Sequence, residues 1–270
     1  MLWQRHRQED GQFMLPTRHG DNGWFDYKAI DAQHFYVQHH IQQHYMSQRP
    51  SDLGWLDEVF PERDGFDTLR PDWPSFKGGP CPPNAWQAWI EGRNPGYPAQ
   101  ILQETRQGIY TALERIEQDD ADPEQVITNH YHRLIPIAPV GLIQMMMGTP
   151  SPVYNGGLLH THLCYFDPAH RRIGVPADVA ALVDTVADDG ASVTLVNTHP
   201  GESRTVLVQA GMFGEHCFTW GQLADGPRQD IDGQHFEVEL GPGAQAQLQL
   251  GMKRYAHRPA YGHPDFGFDG

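Results

Sequence analysis

His160 and His162 stand two apart in "NGGLLHTHLCYF", Asn155 to Phe166. On a β-strand, residues i and i+2 face the same way, so both imidazoles and Cys164 would share one face. Neutral imidazoles arranged so can chelate a borderline metal or bond a polar ligand. A second pair, His130 and His132 in "NHYHRL", lies where a loop or helix end is expected, and there an i, i+2 spacing forces no convergence. Histidine is abundant, 16 in all, so such pairs also arise as junction residues bonded to backbone.

A denser constellation is "RHGDNGWFDY", which gathers Arg18, His19, Asp21, Trp24, Asp26 and Tyr27. An indole suits the C–H face of a sugar ring, and paired carboxylates can do acid–base work on a glycosidic bond. The following stretch "HFYVQHH" adds Tyr36, His39 and His40. Tyr36 and His40 are four apart and share a helix face. The same residues also suit a capped turn with an aromatic core. Trp73, Trp86 and Trp89 could form a stacking lid; a helix packing Trp86 and Trp89 as core is the plainer reading.

These groups need elements to hold them. "DAQHFYVQHHIQQHYMSQ" reads as a helix, with Asp31 as cap and Phe35, Val37, Ile41 and Tyr45 at helical spacing. "PAQILQETRQGIYTALERIEQDD" is the clearest helix. Pro98 suits its first turn, and Ile101, Leu102, Thr105, Ile109, Leu113 and Ile116 form one apolar stripe. "APVGLIQMMMG" is a third, short and apolar. The Pro- and Gly-rich segment between Phe60 and Trp86 reads as a long loop over a site.

After Pro150 the pattern changes. "SVTLVNTH", "SRTVLVQAG", "HCFTWGQL", "QHFEVELGPG" and "AQLQLGMKRY" alternate with period two and are punctuated by Gly or Pro. "PADVAALVDTVAD" fits a short helix or a linker. The tail "HRPAYGHPDFGFDG" reads as a surface strap. The expected fold class is α+β: an N-terminal helical region over 1–150, then an antiparallel β-sandwich over 151–270.

Composition excludes several classes. A formal net charge of −15 with dispersed Lys and Arg disfavours nucleic acid and anionic lipid. No segment has the length and apolarity of a membrane span. The opening "MLWQRHRQEDGQF" lacks the apolar core of a secretory signal, and three scattered cysteines form no disulfide framework. A cytoplasmic location is therefore expected. No Gly-x-Ser-x-Gly elbow or phosphate-cradling loop is present.

"GDNGWFDY" and "HFYVQHHIQQHY", followed by "VTLVNTHPGESRTVLVQAGMFGEHCFTW", resemble carbohydrate-active enzymes in which an (α/α) toroid precedes a β-sandwich. Many polysaccharide lyases and some glycoside hydrolases are built so. The resemblance is one of pattern, and no catalytic motif of a named family matches residue for residue. A full toroid needs more helices than this chain supplies. The resemblance thus implies the C-terminal part of a longer protein, its N-terminal part being a candidate partner, or a reduced relative.

It also implies a carbohydrate substrate, no cofactor, and a lyase or glycosidase acting in a cleft between the two regions. In uronate lyases a neutral Tyr or His takes the proton α to the carboxylate, while Arg, His or Asn neutralises that carboxylate. On this expectation Asp21, Asp26, Tyr36, His39 and His40 are catalytic, and Arg18, Trp24, Trp73, His130, His160 and His162 bind substrate. A non-catalytic carbohydrate-binding module is the alternative. A third reading is a metal-dependent enzyme using the HxH pairs, since "GGLLHTH" is similar to the cupin metal motif. The Glu expected after it is absent, leaving only Asp167.

Overall fold

The computed structural model describes residues 6–32, 35–69, 83–127, 130–131, 134–137, 139–150, 160–262 and 264. The chain is α+β, with helices and antiparallel sheets. It opens on strands, where helices are expected. β1 (Arg7–Glu9), β2 (Gln12–Gly20) and β3 (Gly23–Ala29) form a three-stranded antiparallel sheet. Gly20 pairs with Gly23, so Asp21 and Asn22 make a two-residue hairpin turn, and Gly23 takes φ +95°. β1 reaches only to Met14 of β2. Among the described residues, that edge of β2 has no partner beyond Met14, and there Pro16 can sit without costing a ladder bond.

Among the described residues, five α-helices follow: α1 (Phe35–Ser47), α2 (Gly54–Val59), α3 (Pro83–Ile90), α4 (Tyr97–Glu117) and α5 (Val140–Met147). Val37, Ile41 and Tyr45 of α1 are buried at the expected spacing. They join Trp55, Leu56, Phe66, Trp86, Tyr97 and Ile101 in one core. Trp86 is fully buried and packs its ring 4.7 Å from Tyr45, so it is core and not a lid. Arg63 is buried too, bonded to Asp57 at 2.6 Å and to both Glu91 oxygens at 3.1 Å, which ties α2 to α3. The stripe of α4 is only half used. Ile101, Thr105 and Ala112 are buried, whereas Leu102, Leu113 and Ile116 face solvent.

The remaining strands are β4 (Leu163–Asp167), β5 (Arg172–Ile173), β6 (Val179–Ala187), β7 (Gly190–Asn197), β8 (Arg204–Ala210), β9 (Cys217–Leu223), β10 (Gln229–Gly233), β11 (His235–Leu240) and β12 (Gln245–Lys253). They make a five-stranded sheet, β10-β9-β12-β7-β6, and a four-stranded sheet, β11-β8-β4-β5. Every pairing is antiparallel. One apolar cluster joins both sheets, with Leu163, Val206, Val208 and Leu240 from one and Val183, Val193, Leu195, Phe218 and Leu250 from the other.

The segment "PADVAALVDTVAD" supplies β6, neither helix nor linker. Val179 and Val183 enter the sheet core, while Leu182 and Val186 pack against the helical core. That strand is apolar on both faces, which hides the period-two signal. α5 covers Cys164, Phe166 and Leu207 with Met146 and Met147. It ends at Gly148, whose φ is +64° and whose amide bonds the Gln144 carbonyl. A Cβ there would meet Val183 at 2.7 Å. Gly148→Ala combines a left-handed backbone with overpacking, and a loss of about 2–4 kcal/mol is expected. Gly11→Ala, also at positive φ but with open space, should lose about 1–2 kcal/mol. Denaturant midpoints of the two variants check this ranking.

Candidate functional site at the helix–sheet junction

The antiparallel ladders bring several strand ends to one place. Leu163 at the start of β4 pairs with Ala210 at the end of β8, and Cys217 at the start of β9 pairs with Lys253 at the end of β12. The residues just outside those ends therefore meet: His160 and His162 before β4, Glu215 and His216 before β9, Arg254 and Tyr255 after β12. Gly211 N–H donates to the His162 carbonyl at 2.8 Å and closes the group.

Arg254 links this end of the sheets to the helices. Its Nη2 donates to the carbonyls of Tyr45 at 3.0 Å and Met46 at 2.8 Å, in the last turn of α1. Those carbonyls have no intrahelical partner, and the negative end of the helix dipole favours a cation there. The Tyr255 hydroxyl donates to the same Met46 carbonyl at 3.2 Å. Tyr255 holds φ +52°, a strained value for a bulky residue.

Two of the imidazoles have their tautomers set by backbone. Tyr255 N–H can only donate, so His216 Nδ1, 3.0 Å away, accepts and the ring proton sits on Nε2. That Nε2 lies 3.9 Å from Glu215 Oε1. The Ala187 carbonyl can only accept, so His162 Nε2 carries its proton and Nδ1 keeps its lone pair. His160 Nδ1, His162 Nδ1, Glu215 Oε1 and Arg254 Nε are buried without a hydrogen-bond partner. Burial, then the Arg254 cation, lowers His160 and His216 to about 4 and His162 to about 3. Burial raises the Glu215 carboxyl, against backbone donors that include Phe213 N–H at 2.8 Å. Gly211, at φ +80°, leaves the room: a Cβ there would lie 2.5 Å from the Glu215 carboxyl carbon.

The other residues expected at a site lie on separate elements. Arg18, Asp21, Trp24 and Asp26 belong to the exposed hairpin. Asp21 is in its turn, and Asp26 is engaged by Thr17 Oγ1 at 2.8 Å and Arg18 Nε at 3.5 Å. Trp24 sets its ring edge-on to His19 at 4.9 Å. His39 is exposed on α1, while His40 stacks on Trp55 at 4.5 Å and is lowered by burial. His130 stands apart, bonded to Asp119 at 2.8 Å. Tyr36 falls in the first turn of α1, and its side chain, with Trp73, Cys81 and His132, lies outside the described residues. Cys164 sits in an apolar cluster where burial pushes its thiol up to about 12, the opposite of a metal-ready thiolate. Among the described residues, no group of three or more His, Cys, Asp or Glu side chains has the geometry of a metal centre.

Sequence reasoning found His160 and His162 but missed Glu215, His216, Arg254 and Tyr255. The available signal was adjacent ionisable residues at strand boundaries, "GEH" before β9 and "KRY" after β12. Their convergence depends on strand order, which no local pattern states.

The junction carries a pH dependence of definite sign. Free imidazoles titrate at 6.5. The folded values are lower, so the unfolded chain binds more protons between about 4 and about 6.5. Stability is therefore complete above about 6.5 and falls on acidification through that window, by about 1.4 kcal/mol per pH unit for each histidine. Glu215 acts in the opposite sense, one group against three. The thermal midpoint should drop between about pH 7 and about pH 5, with a shallower drop in His162→Gln. A midpoint unchanged over that range would contradict the burial of these rings.

A family model described as "Domain of unknown function (DUF8034)" matches residues 2–143, which include the hairpin and α1 to α4. No curated protein and no solved structure matches the chain. The match covers more than half of the sequence, so the chain belongs to the DUF8034 family.

Proposed function

We propose that this protein is carbohydrate-active, part of a polysaccharide lyase or glycoside hydrolase. In this reading the two sheets are a β-sandwich, the helices are part of a toroid-like region, and the reaction runs where the two meet. The supporting observation is the meeting of Glu215, three neutral imidazoles and the Arg254 guanidinium at the end of α1. A neutral imidazole is a general base at neutral pH, and a carboxyl with a raised pKa is a matching acid. A guanidinium neutralises an anionic group such as a uronate carboxylate. The half-exposed Tyr255 is the member of the group nearest solvent.

The hairpin supports a second reading, a non-catalytic glycan-binding module. It exposes Trp24 and Phe25, and it holds Arg7 over the Tyr27 ring at 3.8 Å. Such aromatic and charged surfaces suit sugar rings.

The test is turnover of acidic and neutral polysaccharides, read as unsaturated uronate absorbance and as new reducing ends. Turnover should fall at least about a hundredfold in Glu215→Gln and His216→Gln, while their folding transitions persist. Activity that survives both changes removes the junction from the chemistry. Retention on a glycan without turnover, lost in Trp24→Ala, would favour the binding module.

A further inference from the structure

The apolar stripe of α4 is wider than the face it buries. Tyr97, Ile101, Thr105 and Ala112 turn inward. Leu102, Leu113 and Ile116 remain 45%, 47% and 43% exposed, and Tyr110 is 49% exposed. With 3.6 residues per turn, Leu102, Ile109, Leu113 and Ile116 share an arc of about 60°, and Arg106, Tyr110 and Glu117 flank it on one side. Arg106 lies over the Tyr110 ring at 5.5 Å, on that flank. Elsewhere in the helix core, residues of these types are buried, so Leu102, Leu113 and Ile116, exposed along one arc with half-buried Ile109 between them and exposed Tyr110 on the flank, form an unpartnered face.

We propose that this face binds α4 of a second copy of the chain, antiparallel, across a two-fold axis at the level of Ala112. Such an axis brings like flanks together, each residue meeting one that lies, to within one residue, as far beyond the axis as it lies before it. In one register, Arg106 then meets Glu117 of the second copy, Leu113 meets Tyr110, and Ile109 meets Ile116. Each pairing occurs twice. Opposite charges meet on the flank and apolar side chains meet in the centre, as in an antiparallel helix pair. This self-complementarity is what selects a second copy over an unrelated partner. The inference is independent of the carbohydrate reading.

Sedimentation equilibrium and light scattering across a concentration series test it. The chain should show a reversible monomer–dimer equilibrium. Leu113→Glu should shift it to monomer with an unchanged far-ultraviolet spectrum and thermal transition, since the side chain is exposed. Arg106→Glu and Glu117→Arg should each weaken the dimer at least about tenfold, and the two together should restore it. A chain monomeric at every concentration overturns the proposal. So does a dimer indifferent to Leu113→Glu, or a double variant no tighter than the single ones.

Discussion

The contact on which the junction depends is the bond of Arg254 to the end of α1. A helix ends with carbonyls that its own backbone cannot satisfy, and here two of them point at the sheets. A guanidinium from the end of the last strand meets both, adding charge-assisted bonds to a favourable dipole interaction. Because Arg254 is the residue directly after β12, the position of α1 is coupled to the register of that strand.

That bond has consequences for its neighbours. Burial, reinforced by the cation held at the junction, disfavours a second positive charge, so the surrounding imidazoles are neutral, and backbone groups choose the tautomers of His162 and His216. Glu215 lies in the same group with its own carboxyl raised by burial. A cluster with several unmet buried polar atoms is unfavourable by itself. It persists because two apolar cores flank it, joined through β6 and α5, whose residues belong to both.

The elements differed in how plainly the sequence declared them. α1, α4 and α5 were legible because each buries one stripe and the 3.6-residue period survives. The hairpin is masked by its chemistry: Arg18, Asp21, Trp24 and Asp26 have the residue types of a binding site, and with most of its side chains exposed the strand alternation has little apolar contrast. β6 was masked by burial on both sides. Half of the α4 stripe was legible as apolar yet is not covered, since period reports which face avoids water and not what meets it. At the candidate site, His160 and His162 were visible as a spaced pair. Glu215, His216, Arg254 and Tyr255 were not, because they form two short pairs at strand ends far apart in the chain, with no spacing that links one pair to the other.

By itself, the sequence determined the α+β class, the order of helical and β-rich parts after the hairpin, and the buried stripe of α1. These follow from local period and turn chemistry, which act over a few residues. Only the tertiary structure decided that His160 and His162 share a buried junction with Glu215, His216 and Arg254, and that the hairpin residues stand apart from it. The physical reason is strand order: four strand ends separated by up to ninety residues of chain meet through antiparallel pairing, and that pairing is set by the whole core.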